Sequence, residues 1–258
     1  KPHYRHSKFA KYLIYSHYSQ SVSDLFFGLP NHGAQFGSQD RVRNAQLSPD
    51  GTAVSFVYDN DLYVRRIGFQ HDPVQRLTSE FSDDILSGIN SWVYEEEIFG
   101  SSDATRWSPS SERLAFLQFN QTQTPLRSIP HFQRGFDVSS DASTRPGHVR
   151  DRYEAERVGA NAWFERYPRT NDTNPRWKLL VAAHVNVANR TIPAHILNRV
   201  FPVQCDALHY ITQFEWLNST TLLIVSTTRQ YDRQLVQLSS APMFDTCTVV
   251  RHRSIIHN

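Results

Sequence analysis

The chain has 258 residues, 27 Lys+Arg against 25 Asp+Glu, and 39% hydrophobic residues. That length fits one or two domains with a sizeable core. Charges of both signs are interspersed, which argues against a nucleic-acid binder, and no stretch approaches the roughly 18 to 20 apolar residues of a membrane span.

In chain order, the elements read as short strands separated by turns. Ser48-Pro49-Asp50-Gly51 is a turn in which Pro presets φ and Gly supplies φ > 0. Ala53 to Tyr58 follows as a strand, and Asp61 to Arg65 alternates apolar and polar like a half-buried strand. The pattern recurs at Trp107-Ser108-Pro109, with the strand Leu114 to Phe119 after it, and more weakly at Trp216-Leu217-Asn218-Ser219 before Leu222 to Val225. Each copy has the form aromatic or Leu, polar turn, apolar strand. Self-similarity at roughly 40 to 50 residues, built of strands, is the signature of a β-propeller. The copies lie further apart than that, so loops are inserted between them.

The predicted fold is therefore all-β: a partial β-propeller of about five blades of four-stranded antiparallel sheet, occupying residues 1–258. The strand rhythm fails over residues 126–166, which read as one long insertion of loop and short helix, the helical part over residues 149–166. A mobile loop explains this segment better than a functional lid.

Four N-x-S/T sequons, at Asn120, Asn171, Asn189 and Asn218, predict glycosylation and an extracellular or cell-surface chain. Cys205 and Cys247 either pair or are separate buried thiols, and their spacing alone does not decide it.

No catalytic apparatus is visible. A serine-hydrolase elbow needs Gly-x-Ser-x-Gly, and the glycine pair at that spacing, Gly33 and Gly37, encloses Gln35. There is no zinc-binding His-Glu-x-x-His, no phosphate-cradling Gly-rich loop and no Cys-x-x-Cys. The histidines are scattered, and neither metal nor cofactor is predicted.

One cluster stands apart. Trp92-Val93-Tyr94-Glu95-Glu96-Glu97-Ile98-Phe99 sets three carboxylates in a row between aromatic anchors. Adjacent like charges repel, and a solvated acidic turn is the plainer reading. The functional reading is capture of a cation, since neighbouring carboxylates can share one ammonium group. In a strand, neighbours face opposite sides, so residues 92–99 are predicted to form a helix or turn.

These residues resemble the dipeptidyl peptidase IV family of prolyl-oligopeptidase-like serine peptidases. The matching pieces are Asn60-Asp61-Leu62-Tyr63-Val64, the run from Gly88 through Trp92 to Glu97, Trp107-Ser108-Pro109, and Arg5-His6-Ser7 near the start. Tyr167-Pro168-Arg169-Thr170, Asn174-Pro175 and His209-Tyr210 extend the likeness more loosely. The resemblance implies an eight-bladed propeller capping an α/β-hydrolase domain, and removal of dipeptides from peptide N-termini. It implies that Glu96 and Glu97 bind the free α-amino group and that Arg5 contacts the substrate backbone. Peptide N-termini are thus the expected partners, with a homodimer and a type II membrane anchor expected of the full-length protein.

Departures accompany the likeness. The hydrolase domain is absent from this chain, which is expected to be the middle of a larger secreted or membrane-anchored exopeptidase and to be inactive alone. Cys247 falls near a family disulfide cysteine whose usual close partner is missing, and the resemblance makes Cys205 a candidate partner without fixing the pairing. Some members of the family lack the catalytic Ser and serve as ion-channel auxiliary subunits, so a non-catalytic binding or regulatory protein is the alternative.

Overall fold

A computed structural model describes residues 5–25, 42–67, 74–80, 82–130, 162–183, 185, 199–206 and 208–254. They form three sheets of blade size and two two-stranded hairpins. The first hairpin pairs β1 (Leu13–Ser16) with β2 (Ser21–Asp24). The first sheet has the order β3-β4-β5-β6, from β3 (Val42–Leu47), β4 (Ala53–Tyr58), β5 (Asp61–Arg66) and β6 (Gln75–Arg76). The last runs β14-β15-β16-β17, from β14 (Tyr210–Trp216), β15 (Thr221–Thr227), β16 (Arg233–Ser240) and β17 (Cys247–Ser254). Both are antiparallel meanders, the fold class expected.

The polar turns close the same way in each sheet. Ser48 N–H donates to the Ala53 carbonyl at 2.8 Å, and Ser108 N–H to the Arg113 carbonyl at 2.8 Å. In both, the Ser hydroxyl oxygen also accepts the N–H of the residue that starts the next strand, Ala53 at 2.9 Å and Arg113 at 3.0 Å. At Asn218 the side-chain oxygen does the capping, accepting Thr220 and Thr221 N–H at 2.8 Å each. The aromatic residue heading two of the copies is a bolt between sheets. Trp107 Nε1 donates to Ser55 Oγ at 3.1 Å, and Trp216 Nε1 donates to the Arg106 carbonyl at 2.9 Å.

The middle sheet positions the acidic cluster. Its order is β13-β12-β9-β7, with β8 also on β9. Here β7 is Ile85–Ser87, β8 is Thr105–Trp107, β9 is Arg113–Asn120, β12 is Arg176–Ala183 and β13 is Arg199–Pro202. β7 and β8 lie along the same edge of β9, since Ser87 pairs with Gln118 and Thr105 with Phe116. They are one strand interrupted by an excursion. The chain leaves the edge at Gly88 and returns at Ala104: Gly88 N–H donates to the Leu117 carbonyl at 2.9 Å, and Leu117 N–H donates back to the Ala104 carbonyl at 2.9 Å. Asn90 cinches the neck through its side-chain amide, which donates to the Ser101 and Asp103 carbonyls at 2.8 and 3.0 Å.

Gly88 has φ +76°, and a Cβ there would lie 2.9 Å from Leu62 Cδ1 and 3.2 Å from Val57 Cγ2. Left-handed strain of about 1 to 2 kcal/mol and overpacking of about 1 to 3 kcal/mol then add. Gly88→Ala is expected to lower the urea midpoint by an amount equivalent to about 2 to 5 kcal/mol; an unchanged midpoint would show that the neck is slack.

The insertion differs from expectation at its ends. Residues 126–130 and 162–166 are strands, β10 (Leu126–Pro130) and β11 (Ala162–Arg166), paired antiparallel from Leu126↔Arg166 to Pro130↔Ala162. The helix expected over residues 149–166 is thus replaced by strand at its C-terminal end. The reason is tertiary: Arg166 is fixed by two 2.8 Å hydrogen bonds to the Asp84 carboxylate and a third to the Thr124 carbonyl. The remainder of the insertion, 131–161, lies outside the described residues.

One buried cluster joins the three sheets, including Val57 and Leu62 from the first, Phe116 and Leu179 from the second, and Ile211 and Phe214 from the third. Cys205 and Cys247 are joined in a disulfide with Cα atoms 5.3 Å apart. It ties the segment after β13 to β17, the outermost strand.

Candidate functional site

The excursion carries a single π-helical segment, Tyr94–Phe99, closed by Gly100 in the left-handed conformation at φ 60°. Its aromatic residues hold it down. The Tyr94 ring is fully buried and lies 4.5 Å from Phe119 and 6.1 Å from Tyr210. Phe99 meets Phe214 edge-on at 6.2 Å. Burial pushes the Tyr94 hydroxyl pKa well above its usual value. Anchoring by Tyr94 and Phe99 leaves the glutamates between them pointing in different directions, Glu95 inward and Glu97 to the surface.

The three glutamates have three different environments. Glu95 is buried, and its Oε1 accepts the His6 N–H at 3.0 Å. Ser7 adds backbone and hydroxyl hydrogen bonds to the same carboxylate. Glu96 Oε1 accepts the Arg5 N–H at 3.2 Å, and its Oε2 pairs with Arg5 Nε at 3.2 Å. The Arg5 side chain is 75% exposed and that of Glu96 only 9%, so the pair sits at the surface with the carboxylate beneath it. Glu97 is exposed and makes no ion pair among the described residues. The segment Arg5-His6-Ser7 therefore clamps the first two carboxylates and leaves the third.

Burial raises the Glu95 pKa above its usual value, against the lowering effect of the hydrogen bonds from His6 and Ser7. A carboxylate with a raised folded-state pKa contributes most below its unfolded pKa, near 4.3. That contribution is lost as pH rises through the folded value. Glu95→Gln keeps the accepting oxygen and removes the charge. The wild-type stability minus that of Glu95→Gln should therefore fall from pH 4 to pH 7 in paired urea titrations; a difference that grows with pH would contradict this assignment.

Glu97 opens into a cleft of about 570 Å³. Its walls come from distant segments. Trp92, Val93 and Ile98 flank Glu97; Tyr167, Arg169 and Asn174 follow β11; Tyr210, Arg229 and Tyr231 come from the last sheet. Trp92 and Tyr167 pack with ring centres 4.2 Å apart. Asn174 donates to the Tyr210 hydroxyl at 2.6 Å, and Tyr210 stacks on Tyr231 at 6.0 Å. Burial, Tyr210 and the Glu97 charge together raise the Tyr231 pKa.

Of the predicted site residues, Arg5, Glu96 and Glu97 lie together on the excursion and the clamp. Asn120, Asn171 and Asn218 are all exposed, while Asn189 lies outside the described residues. Arg229 and Tyr231 were not singled out by sequence reading, although a signal was present. Thr228 N–H donates to the Arg233 carbonyl at 3.1 Å, its Oγ1 accepts the Arg233 N–H at 3.3 Å, and its hydroxyl donates to Asp232. This is the turn of Ser48 and Ser108 again, with Tyr231 at φ 58° where Gly51 and Ser111 sit at φ 71° and 61°.

Comparison with known proteins agrees with the fold. The profile of the dipeptidyl peptidase IV N-terminal region matches residues 1–255. A dipeptidyl peptidase 4 of Trichophyton rubrum is 38% identical over 191 residues, 74% of this chain and 21% of that protein. A Schizosaccharomyces pombe protein named as a dipeptidyl aminopeptidase is 30% identical over 227 residues, 88% of this chain and 25% of that one. The crystal structure of Porphyromonas gingivalis dipeptidyl peptidase 4 superposes with a TM-score of 0.73 at 19% identity, covering 99% of this chain and 30% of that chain. The chain thus spans between about a fifth and a third of the length of these relatives. It belongs to the dipeptidyl peptidase IV family, as an N-terminal region of that family's kind.

Proposed function

We propose that Glu96 and Glu97 capture the free N-terminal ammonium group of peptides, and that this chain is the propeller portion of a dipeptidyl peptidase IV-like serine exopeptidase. Hydrolysis would then come from an α/β-hydrolase domain joined to it. The observation that carries the reading is the division of labour among the glutamates. Glu95 is buried and spent on His6 and Ser7, whereas Glu97 is exposed in the cleft without an ion-pair partner among the described residues.

An ammonium offers three donors and no acceptor. It is matched by an anionic pair, and it rewards a peptide only where the chain begins. Arg5 serves this pair. It offsets the repulsion among three adjacent carboxylates and holds Glu96 beside Glu97. Its exposed guanidinium is also placed to turn towards a carbonyl of a bound peptide.

The reading includes an extracellular or cell-surface setting with glycans on the exposed Asn120, Asn171 and Asn218. Two facts support it: the disulfide, which persists in oxidising compartments, and the sequons themselves. Among the described residues no helix is long and apolar enough to cross a membrane.

Equilibrium titration of this chain with an Xaa-Pro peptide tests the proposal. The free-amine peptide should bind at least ten times more tightly than its N-acetylated form. Equal affinities would overturn amine capture.

A further inference from the structure

Amine capture leaves part of the cleft's chemistry unused. Arg169 and Arg229 line the same space as Glu97, and both are exposed. Neither guanidinium forms an ion pair with a described residue. Asp172 feels the Arg169 charge, but its Oδ2 is already taken by Arg127 Nη2 at 2.6 Å.

Both arginines rise from fixed backbone. Arg169 N–H donates to Asp172 Oδ2 at 2.8 Å, and Asp172 N–H returns to the Arg169 carbonyl at 3.0 Å. Arg229 occupies the Thr228 turn, next to Tyr231 with its stacked partner Tyr210. Two unpaired cations in one cleft repel each other, and packing gains nothing from them. With Glu97 given to an ammonium, the cleft keeps a cationic wall that an anion would complete.

We infer that this wall reads the side chain of the first residue of the bound peptide and favours a carboxylate there, an N-terminal Asp or Glu. This rests on the amine reading. The first side chain shares its carbon with the ammonium, so an amine held at Glu97 brings that side chain into the same space. The aromatic surfaces are already committed to each other, Trp92 to Tyr167 and Tyr210 to Tyr231. The arginines are the walls left to discriminate.

The test compares C-terminally amidated Asp-Pro-Ala and Asn-Pro-Ala on the full chain, so that the side chain is the only carboxylate. Low ionic strength should give Asp about a three- to five-fold advantage, the scale of a partly exposed charge pair. The advantage should shrink in 0.5 M salt, as screening requires. It should vanish in the Arg169→Gln/Arg229→Gln double variant and persist in Arg229→Lys. Because the ratio is taken within each protein, a general loss of affinity does not mimic the result. No Asp advantage in the wild type, or one that survives the double variant, overturns the inference and leaves amine capture standing. N-acetylated Asp-Pro-Ala binding as tightly as the free peptide overturns amine capture and, with it, this inference.

Discussion

Glu97→Gln is expected to weaken free-amine peptide binding about 30-fold, the equivalent of about 2 kcal/mol and the low end for a hydrogen-bonded charge pair, because Glu97 is exposed until the peptide covers it. In a full-length protein joined to a hydrolase domain, kcat/KM should fall by the same factor. Thermal stability should hardly change, because Glu97 is exposed and supports no neighbour among the described residues. Glu96→Gln should cost comparable affinity and also release Arg5, which loses its 3.2 Å partner. N-acetylated peptides should bind both variants no more weakly than they bind the wild type. If Glu97→Gln leaves free-amine affinity intact, the glutamates are structural.

The second large effect concerns the disulfide. Cys205 and Cys247 are 42 residues apart, and closing a loop of that length restricts the unfolded chain by about 4 kcal/mol. Cys205→Ser/Cys247→Ser is expected to lose about that much, which for a chain of this size lowers Tm by about 8 to 16 °C. The loss should begin at β17. Among the described residues that strand pairs with β16 alone, and Val249 and Val250 are 50% and 59% exposed, so besides one ladder the covalent tie is what holds it. Hydrogen exchange in the double variant should show residues 248–254 deprotected before the rest of the sheet. Simultaneous loss across all three sheets would mean that the bridge supports the whole fold instead.

Local chemistry made much of this legible in the sequence. Ser48-Pro49-Asp50-Gly51 announced its turn because Pro presets φ and Gly supplies φ > 0, and Trp107 and Trp216 headed the same pattern; the capping by the Ser48 and Ser108 hydroxyls emerged only in the structure. The acidic run was placed on a helix or turn because three carboxylates cannot face one ligand from a strand. What the sequence could not show was pairing across distance. β7 and β8 were not read as strands in the sequence, and only their shared partner β9 reveals one interrupted strand with its neck at Gly88. The role of Glu95 was equally hidden, since it depends on where His6 and Ser7 dock. The far wall of the cleft joins Tyr167, Asn174 and Tyr210, which the sequence offered as looser pieces of the family likeness, to Tyr231, and only the fold shows that they line one space. Over residues 149–166, mixed Glu and Arg suggested a helix, but the ion pair of Arg166 with Asp84 favours a strand in its last residues.

The central claim is that the excursion exists to present Glu96 and Glu97 to an ammonium group. A crystal structure of this chain with a free-amine Xaa-Pro peptide measures this directly. The peptide nitrogen should lie about 2.7 to 2.9 Å from one carboxylate oxygen of each glutamate, the spacing of charge-assisted hydrogen bonds, with Glu95 still bound to the His6 N–H. A peptide whose N-terminus lies away from both glutamates, with Glu96 still closed on Arg5, would contradict it.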